Sequence, residues 1–143
     1  MDVRVWGEVQ NRLVEVRATP GPAGAGLRID GLPADRGRTT ADRVRAALIN
    51  AGIVAEVPAG VVWLEPAIRT GPTGELDLAV AMAVLASAGL VGGGLRWMLA
   101  AGRLRPDGEV WGVQKRLTLR EVVEGLCQTP LVASEQMFEK DGS

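Results

Sequence analysis

The sequence predicts an α+β fold: a mixed β-sheet with helices packed on one face. Three observations carry this. Val3–Val9 alternates apolar and polar side chains, and Leu13–Ala18 reads as a second strand across a short turn, so residues 3–18 look like a β-hairpin. The stretch before Gly52 carries an apolar stripe at helical spacing. A second helical stretch, about Glu75 to Ala88, is apolar on nearly every face and reads as a buried central helix.

Taken in order, Val3–Val9 and Leu13–Ala18 form the hairpin, with Gln10-Asn11 as its turn. Two prolines and two glycines in Thr19–Gly24 disfavour a ladder and mark a loop. Leu27–Gly31 is a third strand. Thr39 or Thr40 is the expected N-cap of the first helix, with Asp42 in its first turn. Val44, Ala47, Leu48 and Ala51 line its apolar stripe, Arg43 and Arg45 lie off the centre of that stripe, and Gly52 stops it. Val61–Leu64 is wholly apolar and reads as a central strand covered on both faces, with Trp63 in the core.

Gly71-Pro72-Thr73-Gly74 then turns into the central helix, capped by Thr73 or Gly74, with Glu75 and Asp77 as first-turn acids and Gly89 as the stop. Leu95–Arg105 and Glu109–Val113 flank Arg105-Pro106-Asp107-Gly108, a turn in which proline presets φ, and so form a second hairpin. Lys115–Leu126 is expected to be a third helix and Leu131–Ala133 a last strand. Residues 1–134 thus make one domain, and 135–143 a polar, frayed tail. Val44, Leu48, Val62, Leu64, Val80, Met82 and Val84 are expected in the core.

Composition narrows the chemistry. The 143 residues suffice for a substantial core, and a net charge of −1 creates no global attraction to nucleic acid or to an anionic membrane. Without histidine there is no histidine triad, no HExxH zinc site and no imidazole base; Cys127, the only cysteine, forms no internal disulfide and no cysteine metal site. No cofactor and no metal are expected. Leu78–Leu95 is uncharged and reaches the minimum for a membrane span, roughly 18 residues, but it is broken by Gly92-Gly93-Gly94 and lacks flanking aromatic and basic belts, so no membrane is expected. The N-terminus opens on a strand-like pattern rather than a signal peptide, which makes a cytoplasmic location the expectation.

Five blocks in order resemble one family: Gly31-Leu32-Pro33, the helix Asp42–Gly52, Leu64-Glu65-Pro66-Ala67, Gly74–Ala81, and Gly102-Arg103-Leu104-Arg105-Pro106. Together they resemble the N-terminal domain of the ComM/YifB proteins, bacterial ATPases described as magnesium-chelatase-like. The resemblance implies a Lon-protease-like fold of the ribosomal protein S5 domain 2 type, set before an AAA+ module in hexameric DNA motors. No GxxxxGK[ST] motif is present, and Gly-Lys never occurs. ATP is therefore expected only if the chain joins an AAA+ module, either as a piece of a longer ATPase or as a stand-alone protein.

The Lon-like resemblance also places a serine–lysine dyad at two helix starts. Here Asp77 stands at the implied serine position and Gln114 at the implied lysine position. An aspartate there does not form the usual acyl-enzyme, and glutamine is no base. Lys115, one position on, comes with no serine; Thr73 is the nearest hydroxyl. The expectation is a non-enzymatic accessory or assembly module acting through a protein partner or self-association. The alternative is a stand-alone nucleic-acid-binding domain, and the remote one a Lon-like peptidase. Candidate partner or weak DNA contacts are Arg43, Arg45, Asp77, Lys115, Arg116 and Arg120, five of them cations suited to phosphate. Trp6 and Trp111 are candidate partner-facing aromatics.

Overall fold

The computed structural model describes residues 3–22, 24–91, 97–111, 117–118 and 123. The expected strand at Leu131–Ala133 and the tail 135–143 lie outside them. β1 (Arg4–Val9) and β2 (Arg12–Pro20) form the N-terminal hairpin, followed by β3 (Leu27–Asp30), α1 (Ala34–Asn50) and β4 (Gly60–Glu65). A 3₁₀ turn, Gly74–Leu76, leads into α2 (Asp77–Ser87). β5 (Trp97–Leu99), β6 (Arg103–Leu104), β7 (Glu109–Trp111) and β8 (Leu117–Thr118) follow.

The main sheet has five strands in the order β3-β4-β2-β1-β5. β2 pairs antiparallel with β1 and β4, whereas β3–β4 and β1–β5 are parallel, so the sheet is mixed as expected. The parallel neighbours β3 and β4 are joined through α1, the crossover that parallel pairing requires. β6, β7 and β8 form a small antiparallel sheet.

The hairpin turn puts Gln10 and Asn11 at φ 53° and 61°, the left-handed pair that matches strand twist. Along β1 and β2, Val5, Val9, Val14 and Val16 point to the helices and are buried, and Ile29, Val62 and Leu64 continue that surface on β3 and β4. Val44, Ala47 and Leu48 of α1 close over it, as does α2 from Asp77 to Leu85, buried at every position. All seven expected core residues are buried. Gly7, in the middle of β1, sets how closely α2 approaches: a β-carbon there would come within 2.6 Å of a Leu76 methyl and 3.0 Å of the Ala79 methyl. No helix among the described residues is long and apolar enough to cross a membrane.

Four expectations are corrected. α1 starts at Ala34, a turn and a half before Thr39 and Thr40, with Pro33 at the N-cap and no side-chain cap bond. Thr39 Oγ1 instead donates to the Asp35 carbonyl at 2.9 Å, and Thr40 is buried. β4 is covered on one face only. Val62 and Leu64 are buried, while Trp63 is half-buried on the opposite face, where the described residues place no helix. The segment 95–105 is not one hairpin arm, because β5 joins β1 in the main sheet and β6 pairs with β7. Within the expected helix Lys115–Leu126, Leu117–Thr118 is a strand on β7 while Val123 is helical, and the other residues of that stretch lie outside the described residues.

Candidate functional site

The loop before α2 is held from two sides. The left-handed turn aims Gln10 across the molecule, where its amide donates to the carbonyls of Thr70 (2.9 Å) and Pro72 (3.4 Å). From α1, Arg36 donates to the Gly71 carbonyl. Two main-chain bonds and one to a side chain also attach the start of β6 to the head of α2. Leu78 N–H donates to the Gly102 carbonyl (3.1 Å), Gly102 N–H to that of Glu75 (3.2 Å), and Leu104 N–H to the Asp77 carboxylate (3.1 Å).

Asp77 is the centre of this junction. Its side chain is 1% exposed, and Arg43 grips it with two bonds of 2.8 Å, Nε to Oδ2 and Nη2 to Oδ1. A bidentate guanidinium–carboxylate pair fixes orientation as well as charge. Burial raises the carboxyl above the usual aspartate range, against the lowering effects of the Arg43 fork, the Leu104 N–H and the Arg103 charge. Arg43 in turn has its pKa raised, chiefly by its bond to Asp77. Asp77 also opens α2, where a carboxylate suits the helix dipole.

Around this pair lies an open groove of about 540 Å³. One wall is the flank of α1 that carries Arg36 and Arg43, two turns apart on one line. Pro72–Gly74 forms the end, and Arg103 and Arg105 of the β6 segment form the other wall. Gly74 leaves room for Arg103: a β-carbon there would meet its Nε at 3.2 Å. Among the described residues, no group of three or more His, Cys, Asp and Glu stands close enough to hold a metal ion.

The structure separates the residues singled out in the sequence. Arg43 and Asp77 meet. Arg45 points away, exposed and paired with Asp42 at 3.3 Å. Gln114, Lys115, Arg116 and Arg120 lie outside the described residues, as does the side chain of Trp111. Trp6 is half-buried on the helix-free face of the sheet, with the Arg4 guanidinium 5.4 Å from its ring centroid. Sequence reading missed Arg36, Arg103 and Arg105. The spacing of seven between Arg36 and Arg43, beside the apolar stripe, was a usable signal for the first, since it places both on one flank of a helix. Nothing local marked Arg103 or Arg105.

Among the described residues, a mixed sheet backed by α1 and α2, with an arginine–aspartate clasp joining them at the head of the buried one, defines an α+β domain built around that junction. A family model described as subunit ChlI of Mg-chelatase matches residues 14–133, and the chain belongs to that family. The match upholds the magnesium-chelatase-like resemblance read from the motifs. No curated protein matches the chain.

Proposed function

We propose that the chain is a non-catalytic accessory or assembly module, working in the cytoplasm within a ComM/YifB-like AAA+ machine and related in fold to the Lon protease domain. The observation that carries this is the state of Asp77. At the position where the Lon-like resemblance implies a nucleophile, the side chain is buried, accepts two bonds from Arg43 and one from Leu104 N–H, and ties α2 to α1 and β6. A carboxylate held by three such bonds acts as a strut between elements. ATP chemistry, in this reading, belongs to an AAA+ module joined to the domain or bound as a partner.

Purified protein is expected to hydrolyse no ATP and to cleave no unfolded casein. A rate above that of a mock preparation, abolished in a folded Asp77→Asn variant, would overturn the reading. Light scattering on a sizing column tests the assembly role: self-association or a stable complex with an AAA+ module supports it, and a monomer that binds neither argues against it.

A further inference from the structure

The groove beside the Arg43–Asp77 pair carries more positive charge than the fold needs. Among the described residues, six charged ones line it: Asp35, Arg36, Arg43, Asp77, Arg103 and Arg105. Arg43 and Asp77 neutralise each other. Arg36 bonds a neutral carbonyl at Gly71 and makes no ion pair among the described residues. The Arg103 side chain is exposed and lies across the Gly74 turn, and its guanidinium takes part in no hydrogen bond or ion pair among the described residues. Arg105 is engaged in an interaction of its own and is not counted among these cations. Asp35 is the one remaining acid among the described lining residues.

These cations come from separate elements that the fold locks in place. Arg36 is fixed on α1 by the Gly71 carbonyl, and Arg103 on β6 by the backbone bonds that dock this segment on α2. Held apart across a groove of about 540 Å³, they suit a ligand with several anionic oxygens better than a single carboxylate, which one guanidinium fork would satisfy. Among the described residues no aromatic side chain lines the groove, so they offer no platform on which a base would stack.

We propose that this groove binds phosphate groups, with the guanidinium groups of Arg36 and Arg103 taking the phosphate oxygens while the Asp77 carboxylate holds Arg43 as the groove's fixed floor. The recognised chemistry is a run of phosphate oxyanions, from a small polyphosphate or from successive phosphates of a nucleic-acid backbone, read without base contacts. The site stands whether or not the assembly role does, since it needs no partner chain.

Inorganic pyrophosphate measured by calorimetry, and a labelled single-stranded oligonucleotide measured by fluorescence anisotropy, test it at an ionic strength of about 0.02 M, where screening is weak. Saturable binding is expected, weakened about tenfold or more by Arg103→Glu and retained by Arg103→Lys, because a charge-assisted contact is lost in one and a cation kept in the other. Arg45→Glu, which changes net charge equally but lies away from the groove, is the control and is expected to change binding little. An unchanged thermal midpoint in Arg103→Glu confirms that the fold is intact. Binding of the oligonucleotide alone makes the backbone the source, and binding of pyrophosphate alone makes it a small phosphate ligand. Saturable binding of neither probe overturns the proposal. So does equal weakening by Arg45→Glu, or tighter binding of polyglutamate than of either phosphate probe.

Discussion

Arg43 grips Asp77 with two bonds of 2.8 Å on the helix-covered side of the sheet, and Arg4 grips Glu15 with bonds of 3.0 and 3.2 Å on the other face. The fork is the same; the surroundings differ. Arg43 is 28% exposed and its partner 1%, whereas Arg4 is 62% exposed above an 11% exposed Glu15. Burial dominates at Asp77 and raises its pKa, while the Arg4 bond dominates at Glu15 and lowers it. The helix-covered side therefore depends on each buried charge keeping its partner. The other face is a network of pairs whose arginines are exposed. Glu15 and Glu65 stand directly opposite across β2 and β4, a like-charge arrangement that Arg4 and Arg17 offset. Arg17 also lies over Trp63, 5.7 Å from its ring centroid.

The largest expected effect is on the buried pair. Arg43→Ala leaves the Asp77 carboxylate buried without its partner and is expected to destabilise the fold by about 3–5 kcal/mol in urea unfolding. A double change, Arg43→Met with Asp77→Leu, removes both charges and should recover much of that loss, less what the orphaned Leu104 N–H costs. If the double variant is as unstable as the single one, pairing of buried charges is not what distinguishes this side.

A glycine and a leucine sharpen the contrast next. Gly7→Ala forces a methyl against Leu76 and Ala79 and is expected to cost about 1–3 kcal/mol as overpacking. Leu13→Ala, on the other face and 57% exposed, is expected to stay within about 0.5 kcal/mol of the parent. Equal losses in the two variants would mean that the exposed face is packed as tightly as the core.

The smallest effect is in pH dependence. The folded state holds the Asp77 proton more tightly than the unfolded chain does. Its contribution to stability is complete below the usual aspartate pKa and is lost as pH rises through the raised folded value. Glu15 runs the other way: its contribution is present above the usual glutamate pKa and lost as pH falls through the lowered folded value. Between about pH 3 and pH 7, the stability of the parent relative to Asp77→Asn should fall with rising pH, and that relative to Glu15→Gln should rise. Slopes of the same sign would erase the difference between the two pairs.

Much of this architecture was legible in the residues themselves. The hairpin of β1 and β2 follows from the alternation of β1 and the turn that follows it, α1 from its stripe, and α2 from an apolar run ended at Gly89, which takes φ 75°. Periodicity reports burial because side chains repeat every two residues on a strand and every 3.6 on a helix. The magnesium-chelatase-like membership was legible too, through five short blocks in order. Local signals misled where a rule had two outcomes. Thr39 and Thr40 look like caps, yet the helix runs through both, with Pro33 ahead of it at a position proline tolerates. Val61–Leu64 looks doubly covered because apolar composition cannot say which sheet face the helices occupy.

Contacts between distant segments were decided only in three dimensions. Arg43 and Asp77 are 34 positions apart, and Asp77 and Leu104 are 27 apart. Nothing in the neighbourhood of Asp77 distinguishes a helix-dipole acid from a strut between two helices. The arginine groove arises the same way: Arg36 and Arg103 face one space because α1, the Gly74 turn and β6 converge on the head of α2. Amino-acid identity determined which pieces form and which surfaces they bury, since both depend on local spacing and on the transfer of apolar area from water. Which charges meet, and which are left facing an open groove, depended on how those pieces pack, because a side chain's electrostatic partners are set by distance in space rather than along the chain.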